Sequence, residues 1–267
     1  MRRWGAVAIL LALTTSGCSM ARNTNCFTTR HVVLPDPMRT LGRMSGGQAG
    51  RELAQAVWAG NHADVAERLR QDPQLARVRV EPDPRLTSQP DGQYGDLLTF
   101  AVARCDAEMV ELLLEGGVPA DGVDRGRALS LALLSDDPAL PQLLLSRGAS
   151  PDPQKAGGEN VFEAVATANH SGAVMMLLRH GLDVRWADRF GRTHLDTALS
   201  AQVYSIAELL VKAGADLRHA DRDGFTPAHA LATPPLAAMT KDDAAARERL
   251  IEAAKAGGPW PPPRPAR

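Results

Sequence analysis

Aromatic side chains make up only 4% of the 267 residues, too few for an aromatic-rich sandwich or a surface that stacks nucleic-acid bases. Neither sign of charge dominates: 30 Lys and Arg face 31 Asp and Glu, a formal net charge of −1. That balance excludes the broad basic field that holds a phosphate backbone, so no nucleic-acid partner is expected. No apolar run approaches the roughly 20 residues that span a bilayer as a helix. The three cysteines, Cys18, Cys26 and Cys105, form no CxxC and stand beside no ligand-spaced histidine pair, so no metal site is expected. No G-x-S-x-G, P-loop or dinucleotide glycine pattern occurs, and no cofactor follows.

What is plentiful is Ala, Leu and Val, placed regularly along a chain that is 44% apolar. Such a composition excludes disorder for most of the length and points to a soluble, helical body of one or two domains.

The first residues read as an address. Arg2 and Arg3 precede Trp4–Leu13, a charged region followed by a short apolar one, which is the pattern of a secretory signal. Thr15-Ser16-Gly17-Cys18 then resembles the lipobox of bacterial lipoproteins, with Thr15 where an aliphatic residue is usual. The resemblance implies a signal peptide over 1–17 and lipid on Cys18. Ser19, in place of Asp, implies the outer membrane, facing the periplasm. An ordinary cleaved signal is the alternative. Lipidation would leave Cys26 and Cys105 as an even pair, which an oxidising compartment lets close. They either form a disulfide pinning the N-terminal segment to the body or remain two unrelated thiols. Residues 18–49 are polar and punctuated, with Asn23-Thr24-Asn25, Pro35-Asp36-Pro37 and Ser45-Gly46-Gly47, and read as a lipid-anchored flexible linker.

The body repeats. Gly117, Gly148, Gly181 and Gly214 are separated by 31, 33 and 33 residues, and Leu113-Leu114, Leu144-Leu145, Leu177-Leu178 and Leu209-Leu210 precede them. Asp188-Arg189-Phe190-Gly191-Arg192-Thr193 returns 33 residues later as Asp221-Arg222-Asp223-Gly224-Phe225-Thr226, followed by Pro227-Ala228-His229. A fixed period of this size marks a solenoid whose units cover one another's apolar faces. Thr193 and Thr226 are placed to cap a first helix, and glycine after the second helix permits a left-handed turn. Asn61 and Asn169 stand where the turn between helices needs a residue tolerant of that conformation.

At these residues the chain resembles the ankyrin repeat, whose unit reads D-x-x-G-x-T-P-L-H, helix, G-H, a helix ending L-L-L, then G-A-D. The resemblance spans 50–258 and implies an all-α ankyrin-repeat solenoid of about five to six helix-hairpin units. It also gives the histidines a structural register: His229 in T-P-x-H, His62 and His170 in the interhelix turn, and His194 in place of the usual proline. Residues 259–267, with Pro259, Pro261-Pro262-Pro263 and Pro265 around Trp260, read as a disordered tail.

Catalytic residues are not expected, because no histidine joins a recognisable triad. Ankyrin proteins engage partners through loop tips and the concave face of the first helices. The candidate partner-binding residues are therefore Arg185, Trp186, Arg189 and Phe190 in one loop, and Arg218, His219 and Arg222 in the next. Trp and Arg dominate binding energy when desolvated. The opposite expectation is that Trp186 packs across the neighbouring loop and the arginines pair with Asp188, Asp221 and Asp223. The reading is a non-enzymatic envelope lipoprotein, expected to be a monomer, that binds a protein partner as an inhibitor or immunity-type protein. The alternative is a structural or stress-related envelope component without a single tight ligand.

Overall fold

A computed structural model describes residues 26–28, 32–83, 94–158, 160–236 and 238–265. Within these, thirteen α-helices form and no strand does, only three isolated bridges. A short α1 (Pro37–Thr40) leads into six helix pairs: α2 (Gly47–Ala59) with α3 (His62–Gln71), and α4 (Leu97–Ala103) with α5 (Ala107–Glu115). Next come α6 (Arg127–Leu133) with α7 (Ala139–Ser146), and α8 (Val161–Thr167) with α9 (Ser171–Arg179). The last two are α10 (His194–Ser200) with α11 (Tyr204–Lys212), and α12 (Pro227–Ala232) with α13 (Lys241–Ala256). First helices stack in the order α2, α4, α6, α8, α10, α12, and second helices run behind them. No helix among the described residues is long and apolar enough to cross a membrane.

The sequence period is the packing period. Leu113, Leu144, Leu177 and Leu210 are each fully buried, one per second helix. On the first helices Ala132, Val165, Ala198 and Leu231, spaced by 33, are buried to the same degree, as are Phe162, Leu195 and Ala228. Each such leucine contributes about 1.5–3 kcal/mol of burial that only the neighbouring unit can supply.

Caps set the helix starts. The carboxylates of Asp96 and Asp106 accept from Thr99 and Met109 N–H, and the Asn160 side-chain oxygen accepts from Glu163 N–H. Thr193 with Asp196 and Thr226 with His229 close reciprocal capping boxes. Gly117, Gly148, Gly181 and Gly214 end the second helices at φ between +89° and +99°, which a Cβ would strain. In the interhelix turn the left-handed residue is Gly60, Cys105, Asn169 or Gln202. Asn61 is therefore not the left-handed residue expected; at φ −90° it caps α3 through Asp64 N–H, and Gly60 makes the turn. In the third unit Asp136-Asp137-Pro138 delays α7. An apolar groove of about 550 Å³ opens there, lined by Pro138, Pro141, Ala173, Met175 and Met176 among others.

Two terminal segments depart from the sequence reading. Residues 32–49, expected as flexible linker, are packed. Asp36 caps α1, Thr40 is fully buried, Met44 bridges to Val80, and Val32, Leu34 and Leu41 lie against the core. The apolar residues that do this are isolated, so no periodicity announced them. Ahead of them Cys26 and Cys105 are joined by a disulfide, their Cα atoms 5.9 Å apart. The tail from 259 to 265, expected to be disordered, is docked on the last unit. Pro262 is buried, Trp260 is half-buried against the core, and the Pro263 carbonyl accepts from His229 Nε2 at 2.9 Å. The prolines that stop helix formation also hold the segment extended, so laying it down costs little chain entropy.

Candidate functional site

Consecutive units are joined by loops on one edge of the solenoid, and the fourth and fifth loops share one construction. Asp188 Oδ1 accepts from Phe190 and Arg192 N–H at 2.8 and 2.9 Å, and Asp221 Oδ1 accepts from Asp223 and Phe225 N–H at 2.9 and 2.8 Å. Arg222 N–H donates to the Phe190 carbonyl, so the tips are in direct contact. Gly191, at φ +80°, is needed for this approach, because a Cβ there would lie 3.1 Å from both Asp221 Cα and Arg222 N. Burial pushes the Asp188 carboxyl up, but the Arg192 and Phe190 N–H groups and the Arg192 guanidinium outweigh it and hold it below its ordinary value.

Each of these touching tips carries one exposed phenylalanine, Phe190 at 48% and Phe225 at 52%, the Phe225 ring standing edge-on to His229 with centroids 5.6 Å apart. The Arg189 and Arg192 guanidinium carbons lie 4.8 and 5.1 Å from the Phe190 ring centroid. Arg192 pairs with Asp188 at 3.1 Å, whereas Arg185, Arg189 and Arg222 form no ion pair among the described residues. The result is an exposed aromatic ring on each tip, with Arg189 and Arg192 lying against the one at Phe190.

Of the candidate residues, Arg185, Arg189, Phe190 and Arg222 are exposed on this edge. Three others are engaged in holding the fold. Trp186 is half-buried and lies over His194, ring centroids 5.6 Å apart. His219 Nε2 bonds the Gly191 carbonyl at 3.0 Å, locking one loop to the other. Arg218 donates to the Ala254 carbonyl at 2.7 Å and to Pro259, which ties α13 and the tail together. Cys18 lies outside the described residues. Sequence reasoning missed Phe225 and Arg192, although the period of 33 makes them equivalent positions.

Beside the tips, a cavity of about 280 Å³ runs along α8 and α10, with Glu163, Trp186, Asp188, Arg192, Asp196 and Ser200 on its walls. At its base His194, 1% exposed, meets Asp152 with Nε2 3.2 Å from Oδ1, and the Phe162 ring stacks on the other side. Asp152 also accepts from Asp183 N–H at 2.7 Å and pairs with Lys155 at 3.5 Å. Burial raises its pKa, but the His194 bond, the Asp183 N–H and Lys155 lower it further than burial raises it. These bonds hold together the loops before and after the fourth unit, and both side chains are too buried to meet a substrate. Among the described residues no cluster of three or more His, Cys, Asp or Glu is placed to hold a metal.

Comparison with known proteins bears on the architecture. Residues 129–221 match the family model for ankyrin repeats (3 copies). The ankyrin repeat domain of Bcl-3, described as a unique member of the IkappaB protein family, superposes with a TM-score of 0.52 at 23% identity, over 67% of this chain and 78% of that one. An ankyrin repeat domain from Acinetobacter baumannii AYE gives a TM-score of 0.53 at 20% identity, over 76% of this chain and 97% of that one. No curated protein matches the chain. The chain folds as a helical ankyrin-repeat solenoid, with the repeats themselves matched over residues 129–221.

Proposed function

We propose that this chain is an exported, lipid-anchored ankyrin solenoid that holds a protein partner on its loop tips and performs no chemistry of its own. The observation that carries the reading is the exposure of Phe190 and Phe225 on two loop tips that touch, with Arg189 and Arg192 lying against the Phe190 ring. Large apolar side chains are expensive to leave in water, and an aromatic pair beside guanidinium groups is the composition that carries binding energy. The partner surface that fits is apolar with acidic residues around it. Export is supported by the charged and apolar opening residues and by the Cys26–Cys105 disulfide, a bond that persists in oxidising compartments. An inhibitory or immunity-type role follows if one partner binds stoichiometrically.

The test is affinity capture from solubilised envelope. The wild-type chain is compared with an Arg189→Ala/Phe190→Ala/Phe225→Ala variant, which spares Trp186 and His219 and whose fold is checked by a melt beside wild type. One protein captured stoichiometrically by wild type and lost with the variant supports the reading. Equal recovery of many weak proteins by both would overturn it in favour of a structural envelope component.

A further inference from the structure

We infer that the apolar groove between α7 and α9 binds a single-chain amphiphile with an anionic head, its hydrocarbon chain lying along the groove and its head meeting Arg179. The groove shares no lining residue with the loop tips, so the inference stands apart from the partner proposed for them.

Second helices pack in sequence, α3 on α5, α5 on α7, α9 on α11 and α11 on α13, but α7 and α9 stand apart. The first helices in front of them, α6 and α8, remain packed, so the gap is confined to the back of the solenoid. Asp136-Asp137-Pro138 delays the start of α7 and opens it. Pro138 and Pro141 from one side and Gly172, Met175 and Met176 from the other line about 550 Å³, a volume within the range of small-molecule sites. Gln142 Nε2 and His180 Nε2, 3.2 Å apart, join the two sides at the other end of the helices.

The repeat shows that this chemistry is peculiar to the fourth unit. Six residues before Gly117, Gly148, Gly181 and Gly214 stand Glu111, Gln142, Met175 and Glu208. Glu111 pairs with Arg147, and Glu208 with Lys212 and Arg249. In the fourth unit a methionine, 40% exposed, replaces the acid. Arg179, the counterpart of Lys212, therefore lacks the acid one turn before it, and it is exposed with no ion pair among the described residues. Gly172, Met175, Met176 and Arg179 share one stripe of α9, about 10 Å long. The stripe is apolar until it ends at a cation, and its flexible methionines adapt to an irregular apolar chain.

The polar groups of the rim choose the class of ligand. Ser135 Oγ donates to the Ala132 and Asp137 carbonyls, and the Asp137 carboxylate accepts from Ala139 N–H. The Asp136 carboxylate accepts from Thr28, and His170 Nδ1 donates to the Leu133 carbonyl at 2.8 Å. Pro138 and Pro141 have no N–H to give. A peptide laid here would bury backbone groups without a row of partners, which is costly for each one. A hydrocarbon chain carries no such groups, and its one charged head falls to the guanidinium of Arg179.

The probes are decanoate, octanoate and decyltrimethylammonium, titrated below micelle formation into the full chain with isotope-labelled methionine methyls and read by NMR. Decanoate should shift the Met175 and Met176 methyls saturably and leave Met38, 92% exposed, unmoved. It should bind about tenfold or more tighter than the cationic decyltrimethylammonium. It should also bind about tenfold tighter than octanoate, since each buried methylene is worth about fourfold. Arg179→Gln should erase the preference for the anion and keep the dependence on chain length. Met175→Glu, which restores the acid found at Glu111 and Glu208, should weaken decanoate about tenfold or more in a chain that melts like wild type. Equal binding of the two headgroups, a response that spreads to Met38, or no saturable response would overturn the inference. So would a dimer in light scattering that Met175→Glu dissolves, which gives the groove to a second copy. An acidic leucine-rich peptide that moves these methyls where decanoate does not would overturn it as well, in favour of a protein segment.

Discussion

Asp124 is a residue whose surroundings strongly disturb its ionisation. Burial, and then the neighbouring Asp96 carboxylate, push it up from 3.8 to about 6, against Arg79 and Arg127. The folded chain thus holds a proton between about pH 4 and 6 that the unfolded chain has released. The stabilisation is complete below pH 4 and disappears as pH rises through 6, an effect of about 2–3 kcal/mol. Asp124→Asn should therefore gain stability over wild type on going from pH 4.5 to 7.5, by about 2 kcal/mol in urea melts. A constant difference at the two pH values would contradict this. At His194, substitution by Ala strips a buried carboxylate of one partner and leaves a void beneath Trp186. The expected cost is about 2–4 kcal/mol in the same melts, and a loss below 1 kcal/mol would show the pair to be incidental. The roles of individual residues were the least legible part of the sequence. Asp152 and His194 lie 42 residues apart in chain and 3.2 Å apart in space, a meeting that only the stacking of two loops produces. For Trp186 the sequence left a surface anchor and a packed ring both open, and the histidine replacing the usual proline gives the ring a place to pack.

Helices and loops were more legible, and the reason is physical. A unit that must bury one stripe against a copy of itself repeats its leucines, caps and glycines at one spacing, so 160–232 could be read directly. The terminal segments obey no such repetition. Residues 32–49 pack through scattered apolar side chains, and the proline-rich tail docks through Trp260, Pro262 and one carbonyl, none of them set by the period. The tail has the place of a cap on the open end of the stack, with His229 Nδ1 accepting from Thr226 N–H and Nε2 bonded to Pro263. Ending the chain after Gly258 should lower stability by about 1–2 kcal/mol, or roughly 2–6 °C in melting temperature. A tail free in solution would give no change. Between α11 and α13, Arg249 grips Glu208 at 2.7 and 2.9 Å, which with Lys212 holds the carboxyl down at about 2. Loss of that pair through Arg249→Ala should lower the melting temperature slightly at pH 7 in the same melts. Because this pKa is depressed, the contribution is present above the ordinary value of 4.5 and fades as pH falls toward 2. A cost that did not shrink with falling pH would contradict the pairing.

At the scale of the molecule, stability is a chain of interfaces between neighbours, and the disulfide is a covalent long-range tie outside that pattern. It joins residues 79 apart, so reduction should lower stability by about 2–4 kcal/mol, read from melts with and without reductant. The same bond puts the entry of the chain on one edge and leaves the tips of the fourth and fifth loops on the other. Those tips carry the central claim, that Phe190 and Phe225 meet a protein partner. The most direct measurement places a photo-crosslinking amino acid at Phe190, at Phe225 and, as a control on the outer face, at Met175, then irradiates intact cells. A single crosslinked species common to positions 190 and 225 and absent at 175 is predicted. The same diffuse products from all three positions, or none at the tips, would contradict the account.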